Sequence, residues 1–524
     1  MAYIANAMLL AILFAACASV ATPTALRIGH ISINAVPLFS SQEAAHGSFY
    51  RTANVLHVQT RAALLRGFLL FKEGDGFNPA KLAESERNLR QLDFLKSATI
   101  AAGTPHDGVV DVDVVTQDAW TTDVNGDFSN EGGIAAYDFD VTQKDLLGTG
   151  SELEIHIDNG IERRANTIEF LHPAALGPYW NLDTLLSKNS DGNEEKLQLD
   201  RPLYSYDTPW TAGFLFDHDL RNERYFRDGQ VAARFRQQHR QLKFERSTVL
   251  HADESGSSRL TGGIDFLDDS FATLPARSSD ITPNARHFRF IEGGYDRTGF
   301  HYLKVNYVDR DLRDQDFNLG GLASVRVGIS PRVSSSKSIE TMLVAKVSRG
   351  HEFTDHTFVL GRVDVSSRAP RQRNTIASAE ARFVNRFETQ YPQAFVSRVR
   401  VDRGWQLDRD VQFVADGQNG LRAYPNFAFE GRQRVLMNVE QRLFLGRELL
   451  QIFGPSVAVF ADSGQAVDGR LAWARMKSDV GMGLRIGIAR FESALVRVDL
   501  AYALNDSPTS HRGGVISIST VQAF

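Results

Sequence analysis

Cysteine is nearly missing from this chain: 524 residues hold one, Cys17. Because it lies in the first 25 residues, the remainder can form no disulfide and no thiolate metal site. Long hydrophobic runs are missing too. Beyond residue 25 nothing approaches the roughly 20 consecutive apolar residues of a membrane helix, although 43% of the chain is hydrophobic. This leaves room for a β-barrel, which hides its apolar band in every second residue. Positive charge is not in excess: 58 Lys and Arg against 63 Asp and Glu give a net charge of −5. No basic cluster interleaved with aromatics is present, so no nucleic-acid partner is expected. Catalytic signatures are also lacking. There is no Gly-x-Ser-x-Gly elbow, and GTGSEL (148–153) lacks the lysine of a phosphate loop. DVNGDFSNE (123–131) begins like a calcium loop, but Phe128 stands at the required glycine and Ile134 at the final glutamate. His156, His218 and His301 read as polar wall. We expect no enzyme, no cofactor and no metal.

What is there begins with MAYIANAMLLAILFAACASVATPTA, which reads as a signal peptide over residues 1–25. An apolar core from Ala7 to Ala16 precedes the small residues Ala18, Ser19 and Ala21. No positive charge precedes the core. Acylation of Cys17, or an uncleaved apolar arm, are the other readings of the same stretch. Avoidance of cysteine in the mature chain suits passage through an oxidising periplasm.

Residues 26–122 mix two grammars. LRIGHISI (Leu26–Ile33) alternates like a strand, and His57–Phe71 and Asn78–Leu95 have helical spacing. Leu82, Leu89 and Leu92 fall on one stripe, and Asn78-Pro79 supplies a capping residue before a first-turn proline. SATIAAG and Gly108–Trp120 come next as two strands joined by a turn. This order predicts a small α+β domain, with 123–135 as a linker.

From residue 136 to 524 short alternating runs take over. They include SELEIHID, QVAARFRQ, FHYLKVNYV, TMLVAKVS, AFVSRVRVD and SVAVFADSG. Arg398, Arg400 and Asp402 share one strand face, with Val399 and Val401 opposite; Asn438, Glu440 and Arg442 oppose Val435, Met437 and Val439. A propeller would repeat a motif every 40–50 residues or so, and none recurs. In a membrane barrel the outer face must be apolar, because a charge at the midplane costs ~2–4 kcal/mol, while the lumen accepts the polar set. The prediction is a mainly β chain: a transmembrane antiparallel barrel of about 16 strands, at ~10 residues each.

Several motifs resemble one family in order along the chain. FKEGDGFNPAKLAESERNLRQLDFLKSATI, followed by VDVDVVTQDAW, is similar to a POTRA module of the BamA/TamA outer-membrane assembly superfamily. QKDLLGTGSELEI (Gln143–Ile155), with Gly148 and Gly150, resembles the family's first barrel strands. GLRAYP (Gly420–Pro425) stands where the family has an Arg-Gly-Tyr or Arg-Gly-Phe loop tip, with Ala423 in place of the glycine. VFADSG (Val459–Gly464) resembles its Phe-x-Asp-x-Gly strand, and VGMGLRI and LVRVDLAYAL its last strands. The chain ends on Phe524, as many outer-membrane barrels do, with Gln522 breaking the alternation before it.

The resemblance implies a loop folded back into the lumen, with Arg422 meeting acidic wall residues and Gly420 and Tyr424 beside it. A guanidinium in a narrow, partly dry lumen needs a carboxylate, and a bidentate pair is the strongest such contact. Asp462 matches the motif, sharing its face with Phe460 and Gly464, and Glu440 and Asp499 are further candidates. The resemblance also implies an outer-membrane location with the N-terminal domain in the periplasm, and a role in inserting or translocating other proteins. The expected partners are unfolded outer-membrane or secreted clients, the lipid bilayer and accessory proteins of the periplasm or outer membrane. A secretion or solute channel without insertase activity is the alternative. Only one POTRA-like unit has room, which favours a specialised role over that of a general assembly machine.

Overall fold

In the computed structural model of the chain, the described residues are 26–519 apart from 40, 46, 132–133, 161–162, 275–281, 310–313, 333–337, 371–372, 447–448, 450–452 and 489–494. The leader with Cys17 and the terminal stretch with Gln522 and Phe524 lie outside them.

The N-terminal unit runs β1 (Arg27–Val36), α1 (Ser41–Ala44), α2 (Ser48–Leu56), α3 (Ala62–Gly67), α4 (Pro79–Arg90), β2 (Leu95–Ala102) and β3 (Val109–Asp118). Its sheet order is β1-β3-β2, with β1 parallel to β3. A parallel pair needs a long crossover, which the helices supply. The Asn78 side chain accepts the Ala80 N–H at 2.9 Å, capping α4. Leu82 and Leu89 are buried against Ile28, Ile31, Leu65, Phe94, Val112 and Val114, and Leu92 packs at the edge of this core. Helical spacing over His57–Phe71 does not become one helix. The chain leaves α2 at Leu56 because tertiary partners capture residues 59–61. The Gln59 side chain donates to Ala35 O at 2.6 Å, and the Thr60 and Arg61 amides donate to Asp118 Oδ2 at 3.0 Å and Gly148 O at 3.1 Å.

The remaining strands are β4 (Thr122–Glu131), β5 (Ile134–Leu146), β6 (Ser151–Asn159), β7 (Arg164–His172), β8 (Asn181–Asn189), β9 (Gly192–Arg201), β10 (Trp210–Arg227), β11 (Gln230–Asp253), β12 (Gly256–Thr273), β13 (Arg286–Gly299), β14 (Tyr302–Val305), β15 (Gln315–Asn318), β16 (Leu322–Ser330), β17 (Glu340–Thr354), β18 (Thr357–Ala369), β19 (Asn374–Phe387), β20 (Gln393–Trp405), β21 (Phe413–Ala415), β22 (Phe429–Gly431), β23 (Gln433–Phe444), β24 (Phe453–Val467), β25 (Lys477–Ile488), β26 (Leu495–Ala503) and β27 (Gly514–Ser519). All but β14, β15, β21 and β22 form one closed barrel, which ends where β27 meets β4.

The described barrel therefore has 20 strands, not about 16. Adjacent polar residues such as Glu194 and Glu195 in β9, or Arg286 and His287 in β13, blur alternation and hide strands from a periodicity reading. The segment expected as a linker, 123–135, instead contributes β4, which pairs with β5 from Thr122↔Gln143 to Glu131↔Ile134. Conversely FHYLKVNYV alternates well but lies outside the barrel, as β14, paired only with β15. Pattern records a two-sided environment and not which sheet provides it.

The two barrel faces differ as a membrane requires. Along β24, Val457 and Val459 are 46% and 57% exposed, whereas Phe460 and Asp462 are 5% and 2% exposed. The longest strand, β11, has 24 residues, well above the roughly 9–11 that span a bilayer, so the wall extends beyond the apolar band.

Two segments fold inward, from opposite ends. At the end next to the N-terminal unit, 300–321 joins β13 to β16 and carries the β14–β15 hairpin. At the far end, 406–432 joins β20 to β23 and carries the β21–β22 pair.

Candidate functional site: a buried charge network in the barrel lumen

The far-end loop crosses the barrel mouth on several anchors. Arg286, at the start of β13, donates to Asp408 and Asp410 at 2.8 Å each. Glu430 accepts the backbone N–H of Asp228, and Phe427 stacks on Phe226 with centroids 3.9 Å apart. Between these anchors the chain dips into the lumen. Gly420 takes φ of +105°, a backbone region that favours glycine, and its carbonyl accepts from the Asn438 side chain at 2.8 Å. Leu421, Ala423, Tyr424 and Ala428 are buried against Leu436, Phe460 and Ala501.

This seating delivers Arg422. Its Nε and Nη2 donate to the two oxygens of Asp462 at 2.7 and 3.0 Å, and Nη1 donates to Glu440 Oε2 at 3.0 Å. Asp499 lies 3.5 Å from Nη1, and the guanidinium carbon sits 3.4 Å from the Phe460 ring centroid. The Tyr424 hydroxyl donates to Ser478 O at 2.9 Å. Arg422, Glu440, Asp462, Asp499 and Tyr424 thus meet in one place, drawn from the loop, β23, β24 and β26. The glycine replacement costs no backbone strain, since Ala423 is not among the residues with positive φ.

The glycines divide into two groups. Gly464 faces Leu436, and a Cβ there would come within 2.8 Å of that side chain, so it opens room for the loop. Gly148 and Gly150 are remote from the latch. Both have positive φ, and added Cβ atoms would lie 2.5 Å from Gln59 O and 2.9 Å from Leu64 and Phe94. They let the β5–β6 turn press against the N-terminal unit. Phe524 is outside the described residues.

Several network members escaped motif reasoning. Arg442 donates to Glu440 at 3.1 Å, and Arg485 reaches Glu440 at 3.4 Å and Asp499; the two side chains are 2% and 1% exposed. Asn438 also donates to Asp462 at 2.8 Å, and Asp479 accepts the Ala423 N–H at 3.4 Å. Face parity already carried a signal: Arg442 alternates in phase with Glu440, and Arg485 with Gly481 and Gly483. Those glycines clear space, since Cβ atoms there would collide with Phe460 and with Asp499 and Arg485. Charges this buried persist only when paired and hydrogen-bonded.

Among the described residues, Asp138, Asp140 and His156 on β5 and β6 bring ligand atoms within 4.8 Å of one another. They are half-exposed, and such groups are common without a metal. His218 shares its strand face with Phe214 and Phe216, so it is not part of the polar wall formed by Asp217 and Asp219. No nucleophile with an adjacent base is present in the latch, and the arrangement works by holding backbone in place.

A closed antiparallel barrel with an apolar outer face and a polar, loop-filled lumen is a transmembrane β-barrel protein. The chain is similar to CdiB from Acinetobacter baumannii (12% identity, 94% of this chain and 73% of that chain covered, TM-score 0.48). It is likewise similar to CdiB from Escherichia coli (11%, 94% and 76%, TM-score 0.49). A third similar structure is BamA from Haemophilus ducreyi lacking POTRA domains 1–3 (11%, 94% and 84%, TM-score 0.38). At such scores the barrel stands on its own strand ladder and not on these likenesses. No family model matches the sequence, and no curated protein matches it.

Proposed function

We propose that the chain is an outer-membrane barrel that assists insertion or translocation of other proteins, with residues 26–122 acting as a POTRA-like module on the periplasmic side. The observation that carries this reading is the inward loop held by Arg422 on Asp462 and Glu440, at the positions where the sequence resembles the BamA/TamA superfamily. A loop that closes the far mouth, in a barrel with a small domain at its other end, suits a chain that handles polypeptide at its wall. In the three-stranded sheet β2 is an edge, whereas residues 74–77 already pair along the start of β1; the β2 edge can add an extended client segment as a further strand. Within the described residues β27 is six residues long, the shortest strand of the barrel. Its junction with β4, where the first and last strands of the barrel meet, is the seam at which the wall would open toward lipid.

The test is folding of an unfolded barrel client in liposomes that contain the purified chain, followed as protease-resistant product. Liposomes holding an inert barrel of similar size serve as the reference. Acceleration that Arg422→Ala abolishes supports the reading. No acceleration, with steady ion conductance in the same vesicles, overturns it in favour of a secretion or solute channel.

A further inference from the structure

We propose that the β14–β15 hairpin is a stopper of the near-end mouth, held in the lumen by the N-terminal unit and wired through charges to the latch. The grip is formed by two cations on the last turn of α4. Arg90 donates from Nε and Nη2 to both oxygens of Asp316 in β15, at 2.9–3.1 Å, with side chains 11% and 8% exposed. Arg87 lies 4.4 Å over the ring of Tyr302 in β14. One helix end thereby holds both strands of the hairpin.

Beyond the grip, the hairpin reaches the wall. Val305 and Val308 are buried with Phe358, Val384, Val396 and Phe444. Asp309 pairs with Arg382 and, at 3.0 Å, with Arg442, which also donates to Val308 O at 2.8 Å. Arg442 continues to Glu440, and Glu440 to Arg422. A chain of contacts thus runs from α4 to the hairpin at Asp316, and from the hairpin at Asp309 through Arg442 and Glu440 to the far-end loop. Asp309 and Glu440 are each shared between arginines, so withdrawing the hairpin takes Asp309 from Arg382 and Arg442 and disturbs the pairing that Arg442 and Arg422 share at Glu440. Displacement of the N-terminal unit, as when its sheet edge engages another chain, releases the stopper and loosens the latch in one movement.

The experiment is ionic conductance of the full chain in planar bilayers, with backbone hydrogen exchange of residues 302–305 and 315–318 as a second readout. Arg90→Ala and Asp316→Asn are each expected to raise the open fraction roughly tenfold, the effect of losing one strong charged pair, and to speed exchange in the hairpin. Asp316→Asn preserves shape and carries the test if Arg90→Ala fails to fold. Wild-type closure and exchange in the folded single variants would overturn the proposal.

Discussion

Removing Arg422 is the sharpest perturbation of the latch, and its magnitude derives from burial. The side chain is 4% exposed, its partners Asp462, Glu440 and Asp499 are fully buried, and it makes three hydrogen bonds to two of them. Breaking a buried pair by deleting one partner costs about 3–5 kcal/mol, against ~0–1 kcal/mol for an exposed pair. In Arg422→Ala the carboxylates keep Arg442, Arg485 and Arg497 on the wall but lose their tie to the loop, so the bound loop loses about that much. At roughly 1.4 kcal/mol per tenfold, the seated state falls by at least about a hundredfold relative to the unseated one. The remaining anchors, Arg286 on Asp408 and Asp410 and Glu430 on Asp228, tether the loop at its margins. The expected outcome is a folded barrel in which residues 413–431 exchange amide hydrogens far faster and become open to protease. Arg422→Lys keeps the charge but loses the fork, and is expected to fall between. If Arg422→Ala changes protection of 413–431 by less than about the factor of five that ~1 kcal/mol allows, the pair is no latch and the reasoning from burial is wrong.

Gly148→Ala would force a side chain into φ of +72° with its Cβ 2.5 Å from Gln59 O; we expect a loss of about 1–3 kcal/mol in docking of the N-terminal unit, read as faster proteolytic release of residues 26–118. A dependence on pH is expected at the same interface. Burial of Glu84 pushes its carboxyl above the usual carboxylate range, outweighing the opposite pull of the hydrogen bonds it accepts from the Tyr206 N–H and the Ser205 hydroxyl. The bound form therefore favours the proton: its contribution to docking is complete below the ordinary carboxylate pKa and fades as pH rises through the raised value. Hydrogen exchange in α4 should quicken over that window, and Glu84→Gln should flatten the dependence; a flat wild-type profile refutes it.

Much of this protein was readable in advance for a simple physical reason. A wall with lipid on one side and polar lumen on the other writes a period of two into every strand, and this is why β23, β24 and β25 were legible residue by residue. The cap of α4 was equally legible, because Asn78-Pro79 acts on its immediate neighbours. The partnership of Arg422 with Asp462 also emerged from sequence, through motif and face parity together.

What sequence could not supply is anything decided by which segments meet. Strands such as β8 and β9 hold their place through neighbours on both sides and not through their own alternation, so the count of 20 emerged only on closure. The break at His57–Arg61 exists because Asp118 and Gly148 offer better partners to that backbone than a helical turn would. Asp309 and Arg442 are 133 positions apart, and Arg90 and Asp316 are 226 apart. Local sequence specifies the face on which a charge lies; only the closed barrel, by excluding water, determines which opposite charge it must find.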